Sequence, residues 1–252
     1  MSKNAKETSS DRSPRRVRLA GAVALVLALG SASALLPTAA YADTSVGGVI
    51  AEDATGATSD VAEKTTQVDA AVLALDAADS SDVSGTVTYK TVSITGQMQQ
   101  TSYWCVPASS RATLTAFGVT KYQSELAPLL GTTSSGTKMS KVPAVLNKYQ
   151  SDNSYVLNSN TDSAKLLFAR VQVDVKNWGA PLIAAIQGGD LPVWSAEGYY
   201  GYHAIVLYGY ASNNAWIQYD DPVDVDALYG RHVTNRSYIY AGLKDEQDYL
   251  VW

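Results

Sequence analysis

Apolar and polar positions follow two rhythms along this chain, and the change falls near residue 180. Before it, apolar residues recur at helical spacing. The run P-A-S-S-R-A-T-L-T-A-F, opening at Pro107 and stopped by Gly118, predicts a helix. Proline suits a first helical turn, where its missing N–H costs nothing, and glycine suits the stop. Ala108, Ala112 and Thr115 make a small-residue stripe on this helix, beside an apolar face of Leu114 and Phe117. Further helices are expected over 124–130, 142–149 and 163–178, the last ended by Gly179. After residue 180 the period becomes extended: 181–186, 191–194, 203–210, 215–220 and 236–243 all read as strands, as does 86–94 before the first helix. Helices first and a run of antiparallel strands second is an α+β layout.

The first 86 residues differ in kind. Six basic residues (Lys3, Lys6, Arg12, Arg15, Arg16, Arg18) precede the apolar run Leu19 to Leu36, and Pro37 and then A-Y-A at 40–42 follow. Basic head, apolar middle and small-residue exit form the layout of a secretory signal, so 1–42 is expected to be removed near Ala42 and the chain to be exported. Residues 43–86 carry nine acidic residues against the single base Lys64, and no aromatic residue stands between Tyr41 and Tyr89. Such a stretch buries too little apolar surface to hold a fold by itself. It reads as a linker or a propeptide, with Val61, Val68, Val72 and Leu75 placed to line one helical face.

Residues 87–252 hold nearly all the aromatic side chains and enough chain for one domain with a real core. Their charge is almost balanced, 12 basic residues against 13 acidic. No basic stripe and no phosphate-cradling glycine loop is present, which argues against nucleic acid and nucleotides as ligands. The chain has one cysteine and two histidines without metal-type spacing, so neither a metal nor another cofactor is expected.

That one cysteine, Cys105, falls at the start of the helix that opens near Pro107. Unsatisfied N–H groups and the helix dipole favour an anion there. A lone thiol is commonly a buried, inert residue, but an unpaired thiol is a liability in an exported protein. Cys105 is therefore the candidate nucleophile. The base must be His203, at the mouth of an apolar strand, or His232, in a segment that reads as polar loop. The strand 215–220 returns Asp220 and Asp221 toward the start of the strand that opens at His203. Either carboxylate could fix the imidazole tautomer.

The stretches Q-Q-T-S-Y-W-C-V-P-A-S, G-Y-H-A-I-V-L-Y-G-Y and I-Q-Y-D-D-P together resemble papain-like cysteine peptidases of the bacteriocin-processing, double-glycine type and their stand-alone extracytoplasmic relatives. The resemblance spans about residues 94–223 in the same order. It implies a papain-like fold, with Cys105 as nucleophile, His203 as general base and Asp221, directly before Pro222, orienting the histidine. It also implies that Gln99, six residues before the cysteine, donates to the oxyanion, rather than Gln97 or Gln100. One departure stands out: Val106 occupies the place usually held by glycine, which bears on substrate choice.

The expected activity is thus that of a secreted thiol hydrolase, a cysteine peptidase working through an acyl-enzyme. Expected partners are peptide or protein substrates, with no nucleic acid, no lasting membrane association and a monomeric state. An acyltransferase of transglutaminase type could use the same three residues. From another class, an inactive domain could bind protein or glycan through its tyrosine-rich loop, E-G-Y-Y-G-Y (197–202). Gly47-Gly48 in the acidic segment resembles a double-glycine cleavage site.

Overall fold

In a computed structural model, the structure describes residues 57–78 and 86–252. The expected signal segment and the Gly47-Gly48 pair lie outside the described residues. At the centre run two antiparallel strands, β3 (Leu182–Gln187) and β4 (Tyr202–Ala211), and their alternate residues feed two separate cores. Leu182, Ala184, Ile186, Ile205 and Leu207 enter one; Ile183, Ala185 and Ala204 enter the other. Successive strand side chains point to opposite faces. A strand covered on both sides therefore reads as a continuous apolar run rather than an alternating one.

The first core is closed by α1 (Ala57–Ala78), α5 (Ala164–Val173) and α7 (Arg236–Asp245). The second is closed by α2 (Cys105–Thr115), α3 (Gln123–Leu129) and α4 (Val142–Tyr149). The architecture is α+β, as expected, but the helices cover both faces of the sheet. The remaining strands are β1 (Tyr89–Thr91), β2 (Leu157–Asn158), β5 (Trp216–Asp221), β6 (Gly230–Asn235) and β7 (Leu250–Val251). All pairings are antiparallel, in the order β2-β7-β3-β4-β5-β6, with β1 beside the far end of β4.

Two segments expected as strands are helices. Residues 191–194 belong to α6 (Pro192–Ala196), where proline takes the first turn and Trp194 swings inward, 5% exposed. The segment 236–243 is α7: the Asn235 side chain accepts from Ser237 N at 3.0 Å as an N-cap, and Ile239 and Leu243, one turn apart, are fully buried. Alternating S-Y-I-Y favours a strand locally, yet the cap and the i,i+4 burial decide for helix. Conversely, G-R-H-V-T-N, expected as polar loop, pairs with β5 as the edge strand β6. Its exposed Arg231 suits an edge, where charge discourages further pairing.

The acidic segment contributes α1. Val68 and Leu75 are buried on it and Val61 and Val72 half-buried, so the apolar face read from the sequence is the face that packs, chiefly on α5.

Candidate active site

Cys105 is the first residue of α2 and is 4% exposed. Trp104, the residue before it, makes no side-chain cap, so the first-turn N–H groups of the helix are not taken by a capping side chain. One turn on, Ser109 Oγ donates to Ala204 O at 3.1 Å, which pins α2 to β4 beside His203. Ala108 and Ala112 are almost wholly buried, and their small side chains allow this close approach. The fully buried Val106 belongs to the α2–α3–α4 core, so the residue that departs from glycine is a packing residue rather than part of a cleft wall.

His203, the second residue of β4, lies opposite Ile186 of β3. Its Nε2 meets Asp221 Oδ1 at 2.7 Å, and both side chains are buried. The ring also shares a hydrogen bond with Cys105. With Nε2 given to Asp221, Nδ1 is the nitrogen left to exchange a proton with the thiol. Burial works against charge on this imidazole, but Asp221 and then Cys105 outweigh it and raise its pKa to about 10.

The register explains which aspartate is used. Val206 faces Asp220 across β4 and β5, so the next residue, Asp221, falls toward His203 on the diagonal. Asp220 points to the opposite face, against Gly96, where any side chain on the glycine would collide with its carboxylate. Burial raises the Asp220 pKa, with Arg231 opposing. Asp221 accepts three hydrogen bonds: Oδ1 accepts from His203 and from Val223 N at 3.0 Å, and Oδ2 accepts from Trp194 Nε1 at 2.8 Å. The Trp194 ring also lies against His203, with centroids 4.9 Å apart. Gly188 makes room for it, because a Cβ there would sit inside the indole.

Trp194 was not among the residues expected at the site. The strand reading of L-P-V-W hid it, although a proline placed two residues before a tryptophan was a usable helix-start signal.

The three glutamines separate clearly. Gln99 is 6% exposed, its N–H donates to Pro222 O at 2.6 Å, and its Nε2 donates to Asp224 Oδ1 at 3.1 Å. Gln99 thus reaches the site through the backbone of the residue after Asp221, with one amide proton held by Asp224 and one left. Gln97 and Gln100 instead meet Gln123, a fully buried residue that also donates to Met98 O at 2.9 Å. Gln123 holds the glutamine-bearing segment in place and is a second residue the sequence did not single out. His232 lies in β6, stacked on Tyr219 with Nε2 at 2.8 Å from Leu228 O, away from Cys105.

The structure therefore joins Cys105, His203 and Asp221 in one buried chain, with Gln99 beside it. A thiol, an imidazole and an oriented carboxylate in that order can make and break acyl bonds. The model of the Peptidase_C39 like family matches residues 89–243. Among solved structures, the chain is similar to a C39-like peptidase from Bacillus anthracis, with 14% identity and a TM-score of 0.47 over 65% of this chain and 96% of that one. No curated protein matches.

Proposed function

Because the chain belongs to the Peptidase_C39 like family, we propose that it is a secreted cysteine peptidase whose catalytic residues are Cys105, His203 and Asp221. The observation that carries this reading is the position of His203, bonded to Asp221 on one side and to Cys105 on the other. An imidazole raised to about 10 stays protonated at neutral pH, which favours a thiolate partner. The thiolate attacks the scissile carbonyl carbon. The oxyanion that forms takes hydrogen bonds from the free amide proton of Gln99 and from the first-turn N–H of α2. His203 then gives its proton to the leaving amine as the C–N bond breaks, which leaves a thioester on Cys105. Neutral His203 next takes a proton from water, the hydroxide adds to the thioester, and the acid departs as the thiolate re-forms. Asp221 keeps its charge throughout and steadies the imidazolium.

Export rests on the layout of residues 1–42, and the substrate on the family: peptides or proteins. If an amine replaced water in the second step, the same residues would perform acyl transfer. The deciding experiment compares wild type with Cys105→Ala on a diverse peptide library, reading cleavage and amine incorporation together. Cleavage by the wild type alone supports the peptidase. Incorporation without cleavage supports the transferase, and no difference between the two proteins overturns both.

A further inference from the structure

Lys64 is the one base of the acidic segment, and it is fully buried. Its Nζ donates to Asp174 Oδ2 at 3.0 Å and to Asn153 Oδ1 at 3.1 Å, and it sits 4.8 Å from the centroid of the Trp252 ring. Asp174 is also fully buried, at the point where α5 widens into a π-helical turn, Asp174–Trp178. Burial pushes its carboxyl up to about 6, with Lys64 opposing. The lysine therefore neutralises a carboxylate that has no access to water.

We infer that α1 is a fixed part of the peptidase body, locked in place by Lys64, so that any trimming of the acidic segment falls upstream of residue 57. The helix lies outside the family match at 89–243, and the sequence alone leaves it as linker or propeptide. Further ties run along its length. Ser154 Oγ donates to Asp60 Oδ2 at 2.8 Å, near the start. Asn177 Nδ2 and Trp178 Nε1 both donate to Gln67 Oε1, at 2.9 and 3.1 Å. Val68 and Leu75 enter the core beside α5, and Lys165 pairs with Asp76 near the end. A segment built to leave needs an interface that survives its departure. Here departure would take away the lysine that Asp174 pairs with and uncover the apolar surface on which Val68 and Leu75 pack. Inside the intact domain, removing the lysine alone leaves a buried carboxylate without its partner, which is strongly destabilising. None of the residues named in these ties is Gln99, Cys105, His203 or Asp221, so the helix supports the domain without occupying the catalytic centre.

The test uses the full chain with a site-specific protease sequence placed between Ala78 and Val87. After cutting, α1 is expected to co-elute with residues 87–252 in gel filtration for the wild type and to separate for Lys64→Ala. In the uncut protein, Lys64→Ala is expected to lower Tm by about 10 °C, the effect of one orphaned buried charge in a domain this size. The double variant Lys64→Met with Asp174→Leu, which removes both charges, recovers most of that loss. If Lys64→Ala cannot be obtained folded while the double variant can, that contrast gives the same support, because only the one-sided change orphans Asp174. Release of α1 from the cut wild type, or an unchanged Tm in Lys64→Ala, overturns the inference. So does an active protein whose N-terminus maps between residues 79 and 88. The gel-filtration and Tm readouts are independent of catalysis, so they stand even if the peptidase reading fails.

Discussion

One carboxylate joins the two aromatic rings of the site: His203 Nε2 holds Asp221 Oδ1 at 2.7 Å, and the indole of Trp194 holds Oδ2 of the same group at 2.8 Å. The same indole rests against the imidazole, so Trp194 fixes Asp221 through a hydrogen bond and His203 through packing.

Trp194→Phe keeps a ring against His203 and removes the donor to Asp221. A hydrogen bond to a charged group contributes about 1.5–3 kcal/mol, so kcat/KM on any cleaved peptide is expected to fall by roughly 10- to 100-fold. Circular dichroism is expected to stay unchanged. An unaffected rate would show that Asp221 needs no help from the indole.

Gln99→Ala is expected to lower kcat by ~10²–10³, the loss typical of one oxyanion donor, with KM little changed. Asp224→Ala removes only the anchor of that amide and is expected to lower kcat by a smaller factor. Equivalent variants of the exposed Gln100 side chain should leave kcat alone, and steady-state kinetics on the three proteins checks the ranking.

The raised pKa of His203 has a consequence for stability. Its folded value, about 10, lies above the ordinary histidine value of 6.5. The charged imidazolium therefore adds stability that is fully present below pH 6.5 and fades as pH rises toward 10. Asp221→Asn removes the main cause of the upward shift. Thermal melts between pH 6 and 10 should show a steeper decline for wild type than for this variant, and parallel curves would contradict the pairing.

Val106→Gly, which restores the residue usual after the cysteine, is expected to destabilise rather than to retune specificity. Val106 is fully buried within α2. Losing its side chain leaves a cavity and puts glycine in a helix, which together cost about 2–4 kcal/mol. Denaturant melts measure that loss, and peptide-library profiling is expected to show the same cleavage preferences for both proteins.

The helix opening at Cys105 was legible because its signals are local: proline in the first turn, glycine at the stop and a small-residue stripe between. The strand opening at His203 was legible for the same kind of reason, through its unbroken apolar run. The choice of Asp221 over Asp220 was open to the residues and was supplied by the family resemblance. The structure gives its physical basis, since strand alternation sends the two carboxylates to opposite faces. The segments misread, 191–194 and 236–243, are short, and their local pattern suits either state. Burial of Trp194 in one, and of Ile239 with Leu243 in the other, settled them.

By itself the sequence determined which groups could do chemistry: a single thiol, two histidines, and acidic residues returning on the neighbouring strand. It also determined the α+β order, because helical and extended periods are written into neighbouring residues. Only the tertiary structure decided that Trp194 and Gln123 support the site, that Val106 is core, and that Lys64 is buried against Asp174. Each of these depends on contacts between residues far apart in the chain, here up to 110 positions. Local propensity and period carry no record of which distant side chain will arrive, so burial and pairing of that kind exist only once the chain has folded.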